Sequence, residues 1–252
     1  GIFILNYLKD IITVNEYKEL QPDYPKGTLI LSDSQAVIDA CIDGNIPVAG
    51  YEHDDITGLS CPHLLMDVED VDDYVFENIY RRCRDIPWDI ADTARCHIRE
   101  FSMDDLDDLF ELYASPGVTE YMEPLFEYEQ ERQYEQNYIH YIYKLYGFGM
   151  WLVFDKITGV LIGRAGIEVR ESCDSENQAE LGFCITPARW RQGLAYEVCS
   201  KIIQLAREEY RLSSLIARCD FKNIASRNLL EKLGFKNVGY EPDGDLRYEM
   251  AL

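Results

Sequence analysis

The sequence is poor in basic residues and has no long hydrophobic segment. Lys and Arg number 24 against 46 Asp and Glu, and the formal net charge is −22. Because proteins bind nucleic acid by displacing counterions with Lys and Arg, this deficit predicts no nucleic-acid partner and no anionic membrane partner. No apolar run approaches the roughly 20 residues of a membrane-spanning helix. The charge favours a cationic small substrate or a basic peptide, although solubility alone explains it equally well.

Motifs that bind metal are also missing. No two of the eight cysteines form a Cys-x-x-Cys pair, and the four histidines do not cluster with them. We therefore expect no metal site. Several cysteines lie in apolar segments as small core residues do, which predicts free thiols and a reducing, cytoplasmic location. The eight are Cys41, Cys61, Cys83, Cys96, Cys173, Cys184, Cys199 and Cys219.

The composition of the chain changes at residues 85–96. A charged helical segment ends at Asp-Ile-Pro-Trp, and Cys-His-Ile-Arg begins a new alternating strand. We therefore expect a small α/β domain over residues 1–94 and a second domain over residues 95–252. In the first, apolar runs and helical periodicity predict strands at 28–31, 46–50 and 63–66 and helices at 36–43 and 71–84. Strand, helix and strand in close succession predict a parallel crossover.

Residues 29–34 and 44–48 resemble the later portion of a haloacid-dehalogenase-like domain, in which a strand ends in Asp before a helix and a second strand. The family's nucleophilic Asp-x-Asp is absent from the first 30 residues, and Val37 stands where a second metal-binding acid belongs. A phosphohydrolase is therefore the least favoured function. Asp33 and Ser34 are predicted instead to cap the following helix.

The second half has a different pattern. Apolar spacing predicts helices at 103–113, 128–146, 194–209 and 223–233 and strands at 151–154, 160–167, 179–185, 215–218, 235–240 and 247–251. Residues 155–159 are rich in turn-forming types and predict a hairpin loop between the first two of these strands.

The segment Arg-Trp-Arg-Gln-Gly-Leu-Ala at residues 189–195 lies between a strand and an amphipathic helix. Such a loop presents several backbone N–H groups at the positive end of a helix dipole, where an anion such as pyrophosphate is stabilised. Gly193 permits close approach, and Arg191 adds a positive charge. An ordinary strand-to-helix turn is the alternative interpretation.

A second segment, residues 223–235, follows a helix pattern with clear ends. Asn223 is predicted to cap the helix and Gly234 to take the left-handed position that ends it. Ser226 fits the first turn. Capping alone would explain these residues.

The two segments in this order resemble the GNAT N-acetyltransferase superfamily, most closely the branch of ribosomal-protein alanine N-acetyltransferases. The first pattern is matched by Trp190, Gly193 and Ala195, and the second by Asn223, Ser226, Leu230, Gly234 and Phe235. The resemblance implies an α+β fold with a mixed, mostly antiparallel central sheet and splayed strands. It also implies acetyl-coenzyme A as co-substrate and direct acetyl transfer to an amine.

Site residues follow from the resemblance by position. It implies that coenzyme A is held at its pyrophosphate by backbone N–H groups of Arg191, Gln192, Gly193, Leu194 and Ala195, along its pantetheine arm by Phe183, Ile185 and Asn223, and at a phosphate by Arg227. Glu180 is the expected general base, with Glu168 and Asp220 as alternatives. The family's Tyr acid is replaced by Leu229 and Leu230, which leaves Ser226 to donate a hydrogen bond to the sulfur.

The acceptor is left open between a small-molecule amine and a peptide N-terminus. The segment 103–146 would line its cleft in this family, and it carries many tyrosines and the acids Glu120, Glu123, Glu127, Glu129 and Glu131. These side chains suit a cationic amine, although a solvated acidic helix face is an equally simple interpretation. A coenzyme A-binding sensor or an interaction protein, in either case without catalytic activity, is the alternative function, and both a monomer and a homodimer fit the sequence.

Overall fold

A computed structural model describes residues 7–21, 23–53, 56–66, 68, 71–175 and 177–252. The chain divides into two compact units, one ending at Trp88 and the other spanning Asp89–Leu252. The boundary predicted after residue 94 lies later in the chain than the one after Trp88, because Asp89–Asp92 already forms a strand of the second unit's sheet. Within the described ranges no helix is long and apolar enough to cross a membrane.

The first unit contains a four-stranded parallel sheet in the order β1-β2-β3-β4. Its central strands β2 and β3 are almost entirely buried, as expected where both sheet faces are covered, and α1 and α2 pack on opposite faces. The crossover prediction is confirmed, whereas the first strand was not predicted. The elements are β1 Asp10–Thr13, a 3-10 turn Tyr17–Glu19, β2 Thr28–Ser32, α1 Gln35–Asp43, β3 Val48–Tyr51, β4 Leu64–Leu65 and α2 Asp73–Cys83.

The predicted capping of α1 is wrong in its chemistry. Ser34 occupies the N-cap position, but no side chain caps the helix. The Ser34 N–H donates instead to Ser32 Oγ at 3.1 Å. The Asp33 carboxylate faces His53 Nε2 at 3.1 Å, so it is engaged across the sheet edge rather than at the helix end.

The second unit is built on an eight-stranded sheet in the order β11-β12-β10-β9-β8-β7-β6-β5. Neighbours are antiparallel except β9 and β10, which run parallel. The predicted mixed, mostly antiparallel sheet is confirmed. The strands are β5 Asp89–Asp92, β6 Cys96–Arg99, β7 Met150–Asp155, β8 Leu161–Glu168, β9 Gln178–Ile185, β10 Ser214–Cys219, β11 Lys236–Tyr240 and β12 Leu246–Ala251.

Five α-helices accompany this sheet in the described residues. They are α3 Leu106–Ala114, α4 Tyr128–Asn137, α5 Tyr143–Tyr146, α6 Leu194–Glu208 and α7 Ile224–Leu233. Short 3-10 turns lie at Met103–Asp105, Val118–Glu120 and Pro187–Arg189. The single helix predicted over 128–146 is interrupted by a π-helical segment, Tyr138–Ile142. Such wider turns are frequent at functional sites.

The helices cover both faces of the sheet. Arg164 on β8 forms an ion pair with Glu135 of α4 at 2.8 Å, so α4 lies on that face. On the neighbouring strand β7, Leu152 pairs with Arg164 and lies on the same face, so the preceding residue, Trp151, points to the other face. There it stacks on Tyr210, which follows α6, with ring centroids 6.3 Å apart. Side chains between the layers form one continuous apolar core.

Candidate active site

The two parallel strands at the centre of the sheet separate along their length. Ser214, Leu215 and Ile216 of β10 pair with Gln178, Ala179 and Glu180 of β9, and the described pairing stops there. Residues 181–185 continue to pair with β8, and residues 217–219 continue to pair with β12. A wedge therefore opens between the carboxyl ends of β9 and β10, with main-chain polar groups along its sides.

Phe183 and Ile185 present their backbone to this wedge. Thr186 N–H donates to Ile162 O of β8 at 2.8 Å, so the N–H and C=O groups of the residues at 183 and 185 point away from β8, since these groups alternate between the two neighbours of a strand. One of them is already engaged, because Trp190 Nε1 donates to Ile185 O at 2.5 Å. The wedge edge thus offers hydrogen-bonding groups to an extended ligand.

The loop after β9 has an irregular backbone. Arg191 has φ +60° and Gly193, the N-cap of α6, has φ +78°. Within the described chain, the backbone N–H groups of Arg191, Gln192, Gly193, Leu194, Ala195 and Tyr196 donate to no protein acceptor. Left-handed residues alternating with ordinary ones turn successive N–H groups into one concave surface, which binds anions.

The side chains of this loop differ in their surroundings. Arg191 is exposed and has no described partner, which leaves its charge available to an anion. Arg189 is tied to Asp155 at 2.6 Å. Gln192 donates through Nε2 to Ala188 O at 3.2 Å. The side chain of Leu194 is buried in the core, which anchors the first turn of α6.

Two residues that hold the loop were not predicted from the sequence. Arg95, in the turn between β5 and β6, donates from Nη1 to Gln192 O at 2.8 Å. Its backbone N and Nε donate to the two oxygens of Glu197, in the first turn of α6, at 2.8 and 2.7 Å. Burial acts to raise the pKa of Glu197, but hydrogen bonds from Thr93 and Arg95 outweigh it and the pKa is lowered.

The helix α7 begins beside the carboxyl end of β10. Asn223 Oδ1 accepts from Ser226 N–H at 3.0 Å, so the predicted cap is confirmed. Gly234 ends the helix with φ +103°. The Ser226 hydroxyl is half-buried and has no described partner. Arg227 donates from Nη1 to Phe221 O at 3.0 Å.

Two carboxylates lie near the wedge, one on β9, which borders it, and one on β8, the other neighbour of β9. Glu168 of β8 and Glu180 of β9 face each other as cross-strand partners. Glu180 Oε2 accepts from Ser172 Oγ at 2.7 Å. The third candidate, Asp220, uses Oδ1 to accept from Lys222 N–H at 2.7 Å in the turn before α7.

Tyr138, the first residue of the π-helical segment, is hydrogen-bonded to Glu168. Tyr138 donates its hydroxyl to Glu168 Oε1 and accepts from Met150 N–H at 2.8 Å. Burial and the charge of Glu168 raise the pKa of Tyr138 well above its ordinary value.

The nearby Glu135–Arg164 pair is almost fully buried. Burial raises the pKa of Glu135 while Arg164 opposes the shift.

Two aromatic side chains of the segment 103–146 are exposed next to each other. Phe126 and Tyr134 are 47% and 43% exposed and lie edge to face at 5.9 Å. Tyr134 in turn lies 6.0 Å from Tyr138. Glu131, predicted to line the acceptor cleft, is instead buried and accepts from Phe126 N–H at 2.9 Å.

Among the described residues no cluster of His, Cys, Asp and Glu could hold a metal ion.

Comparisons with known proteins identify the family of this part of the chain. Residues 95–236 match the family described as Acetyltransferase (GNAT) domain. The uncharacterized N-acetyltransferase YoaA of Bacillus subtilis (strain 168) is 30% identical over 152 residues, which are 60% of this chain and 84% of that protein.

Solved structures share the fold. The GNAT-family acetyltransferase from Bacillus anthracis has a TM-score of 0.54 and 21% identity, over 64% of this chain and 96% of that one. The ribosomal L7/L12 alpha-N-protein acetyltransferase RimL has a TM-score of 0.56 and 16% identity, over 66% of this chain and 95% of that one.

Proposed function

Because this chain belongs to the GNAT acetyltransferase family, we propose that it moves an acetyl group from acetyl-coenzyme A to a primary amine by direct transfer. The observation that carries the proposal is the loop at residues 191–196, whose N–H groups have no described protein acceptor and which lies beside the open wedge between β9 and β10.

The chain's own residues fit this co-substrate. The N–H groups of Arg191, Gln192, Gly193, Leu194 and Ala195, together with the Arg191 charge, suit a pyrophosphate. The backbone N–H and C=O groups of Phe183 and the N–H group of Ile185 suit the amides of pantetheine, whereas Ile185 O already accepts from Trp190. Asn223 and Arg227 lie on the α7 side. When bound, acetyl-coenzyme A supplies the thioester whose acetyl group is transferred.

Glu180 is proposed as the general base. It accepts the proton that the amine loses as its nitrogen bonds to the acetyl carbon and the carbon–sulfur bond breaks. Ser226 is proposed to donate its hydroxyl hydrogen bond to the departing sulfur. Its half-buried position at the start of α7 and its unoccupied hydroxyl support that role.

For the acceptor we propose a primary amine, either on a small molecule or at a peptide N-terminus. The aromatic side chains Phe126 and Tyr134 and the half-buried acids Glu168 and Glu180 suit a cationic group. RimL, which is named for acetylating the N-terminus of a ribosomal protein, makes peptides with a free α-amino group a rational first panel beside diamines.

A non-catalytic coenzyme A sensor is the second candidate. It is favoured by Leu229 and Leu230, which stand where many relatives carry a Tyr acid. Tight acetyl-coenzyme A binding without turnover of any amine in either panel would support it.

The first unit is proposed to be a non-catalytic, haloacid-dehalogenase-like module. Its parallel order β1-β2-β3-β4 supports the resemblance, and Val37 in place of an acid argues against hydrolysis. Magnesium-dependent phosphatase activity that disappears in Asp33→Asn would overturn this view.

Calorimetry with acetyl-coenzyme A tests the main proposal. Gly193→Glu places a negative charge and a strained left-handed residue in the loop, and we expect it to abolish binding. Gly244→Glu is the matched control, because Gly244 is also left-handed, with φ +99° and open space around it, in the turn between β11 and β12. No binding by the wild type would refute the proposal.

A further inference from the structure

Arg95 contacts Lys156, Gln192 and Glu197, which lie around the loop at residues 189–196. We call this loop the cofactor loop. The turn that contains Arg95 is closed by Thr93 N–H donating to Cys96 O at 2.8 Å, and Lys156 N–H donates to Arg95 O at 3.0 Å. The Arg95 side chain donates from Nη1 to Gln192 O and from Nε to the Glu197 carboxylate. A Cβ on Gly193 would lie 3.7 Å from Arg95 Nη2. The guanidinium therefore lies directly beside the loop.

The loop is consequently held from two adjacent points, the start of β6 and the end of β7, where Cys96 pairs with Asp155. Asp155 binds Arg189 at the loop's start, and Arg95, whose carbonyl is bound by the next residue, Lys156, holds the loop's end. The sharply turned backbone at Arg191 lies between these two attachments. A backbone in the left-handed region persists only where its surroundings fix it.

We propose that Arg95 is a positioning residue for the cofactor loop, which fixes the Gln192 carbonyl and neutralises Glu197 so that the first turn of α6 still attracts an anion. This inference rests on the proposed function, in which the loop binds the pyrophosphate of acetyl-coenzyme A.

The electrostatic part of the argument concerns Glu197. A carboxylate in the first turn stabilises a helix by itself, but it also competes with an anionic ligand for the same positive end. Both Glu197 oxygens are occupied by Arg95, and the side chain is only 19% exposed. If Arg95 were removed, a poorly solvated negative charge would remain one turn from the pyrophosphate and would repel it.

This predicts an order of affinities that a purely structural role does not. We expect Arg95→Ala to raise the acetyl-coenzyme A Kd and KM by about 10- to 100-fold, in the range of one lost charged interaction, with kcat at saturation nearly unchanged. Arg95→Ala/Glu197→Gln should recover most of the loss. Arg95→Lys should recover part of it, because Lys keeps the charge but not the planar group that donates to Gln192 O and Glu197 Oε2 together.

The experiment measures Kd by calorimetry and KM and kcat by kinetics for these variants at low and high salt. Arg207→Ala, at the exposed far end of α6, controls for the loss of one positive charge. High salt should shrink the Arg95→Ala defect, since repulsion is screened. Equal weakening of the single and double variants, or none in Arg95→Ala, would overturn the proposal.

Hydrogen exchange provides a second readout that needs no cofactor. The amide of Glu197, which donates to Gly193 O at 3.1 Å, should exchange faster in Arg95→Ala than in the wild type or in Arg207→Ala, because the loop loses one of its two attachments. Unchanged exchange would overturn the positioning role. Failure of the wild type to bind acetyl-coenzyme A would instead refute the proposed function, and exchange would still judge Arg95 on its own.

Discussion

Glu168 and Glu180 lie directly opposite each other on neighbouring antiparallel strands, but their oxygens are not equally available. Glu168 accepts from Tyr138 on Oε1 and from Arg170 on Oε2. Glu180 accepts from Ser172 on Oε2, and its Oε1 has no partner in the described chain. A base needs a free lone pair that faces the amine, and this favours Glu180 over its neighbour.

Glu180→Gln should therefore lower kcat by about 10²- to 10⁴-fold, the usual contribution of a general base. The acetyl-coenzyme A Kd should stay unchanged, because the side chain is not part of the loop. Steady-state kinetics with the best amine acceptor, beside calorimetry, checks both. Glu168→Gln is the matched control and should cost less than about 10-fold; the reverse order would assign the base to Glu168.

Periodicity and end signals predicted most of the second unit. The strands and helices that contain long apolar runs were found, and so were the cap at Asn223 and the left-handed Gly234. Two strands were not predicted, Asp10–Thr13 and Asp89–Asp92. Both are four residues long, and every residue of β5 is only partly buried, so neither carries the alternation that identifies a strand.

The supporting contacts of the site could not be predicted for a different reason. Arg95 and Glu197 are 102 positions apart in the chain, and no local pattern relates them. The π-helical turn at Tyr138 is likewise set by tertiary contacts, with Glu168 and Met150. Sequence motifs led to the groups that are proposed to contact the co-substrate, whereas the residues that hold those groups depend on the folded topology.

Tyr138→Phe should destabilise the second unit by about 1–3 kcal/mol, the cost of leaving buried hydrogen-bonding groups unpaired. The lost hydroxyl serves both Met150 N–H and Glu168, and Tyr138 is only 4% exposed. Urea unfolding measures the change. Tyr134→Phe, whose ring is 43% exposed, should shift stability by less than about 0.5 kcal/mol. Equal effects of both variants would contradict the role of the Tyr138 hydroxyl.

The Glu135–Arg164 pair should show strong non-additivity. Glu135→Met alone should cost about 3–5 kcal/mol, because it leaves the Arg164 charge buried without a partner. Arg164→Met alone should also destabilise. The double variant should lie closer to the wild type than either single one, since it removes both charges together. A urea-unfolding double-mutant cycle measures this coupling, and simple addition of the two costs would argue against a coupled pair.

His97 gives the second unit a pH-dependent stability. Its ring nitrogens face Asp89 at 3.1 Å and Asp92 at 2.8 Å, and Lys156 contacts Asp92 at 3.3 Å. The hydrogen bond with Asp89 raises the pKa of His97, burial opposes this, and Asp92 adds to it.

A histidine whose pKa is higher in the folded state stabilises the fold fully below its unfolded pKa of about 6.5. That contribution disappears as the pH rises through the folded pKa. We therefore expect the free energy of unfolding to fall as the pH rises above about 6.5, by about 1 kcal/mol or less, since the side chain is partly solvated. His97→Gln should flatten this slope, whereas His140→Gln, at an exposed position of the π-helical segment, should leave it intact. A wild-type slope that persists in His97→Gln would assign the titration to another group.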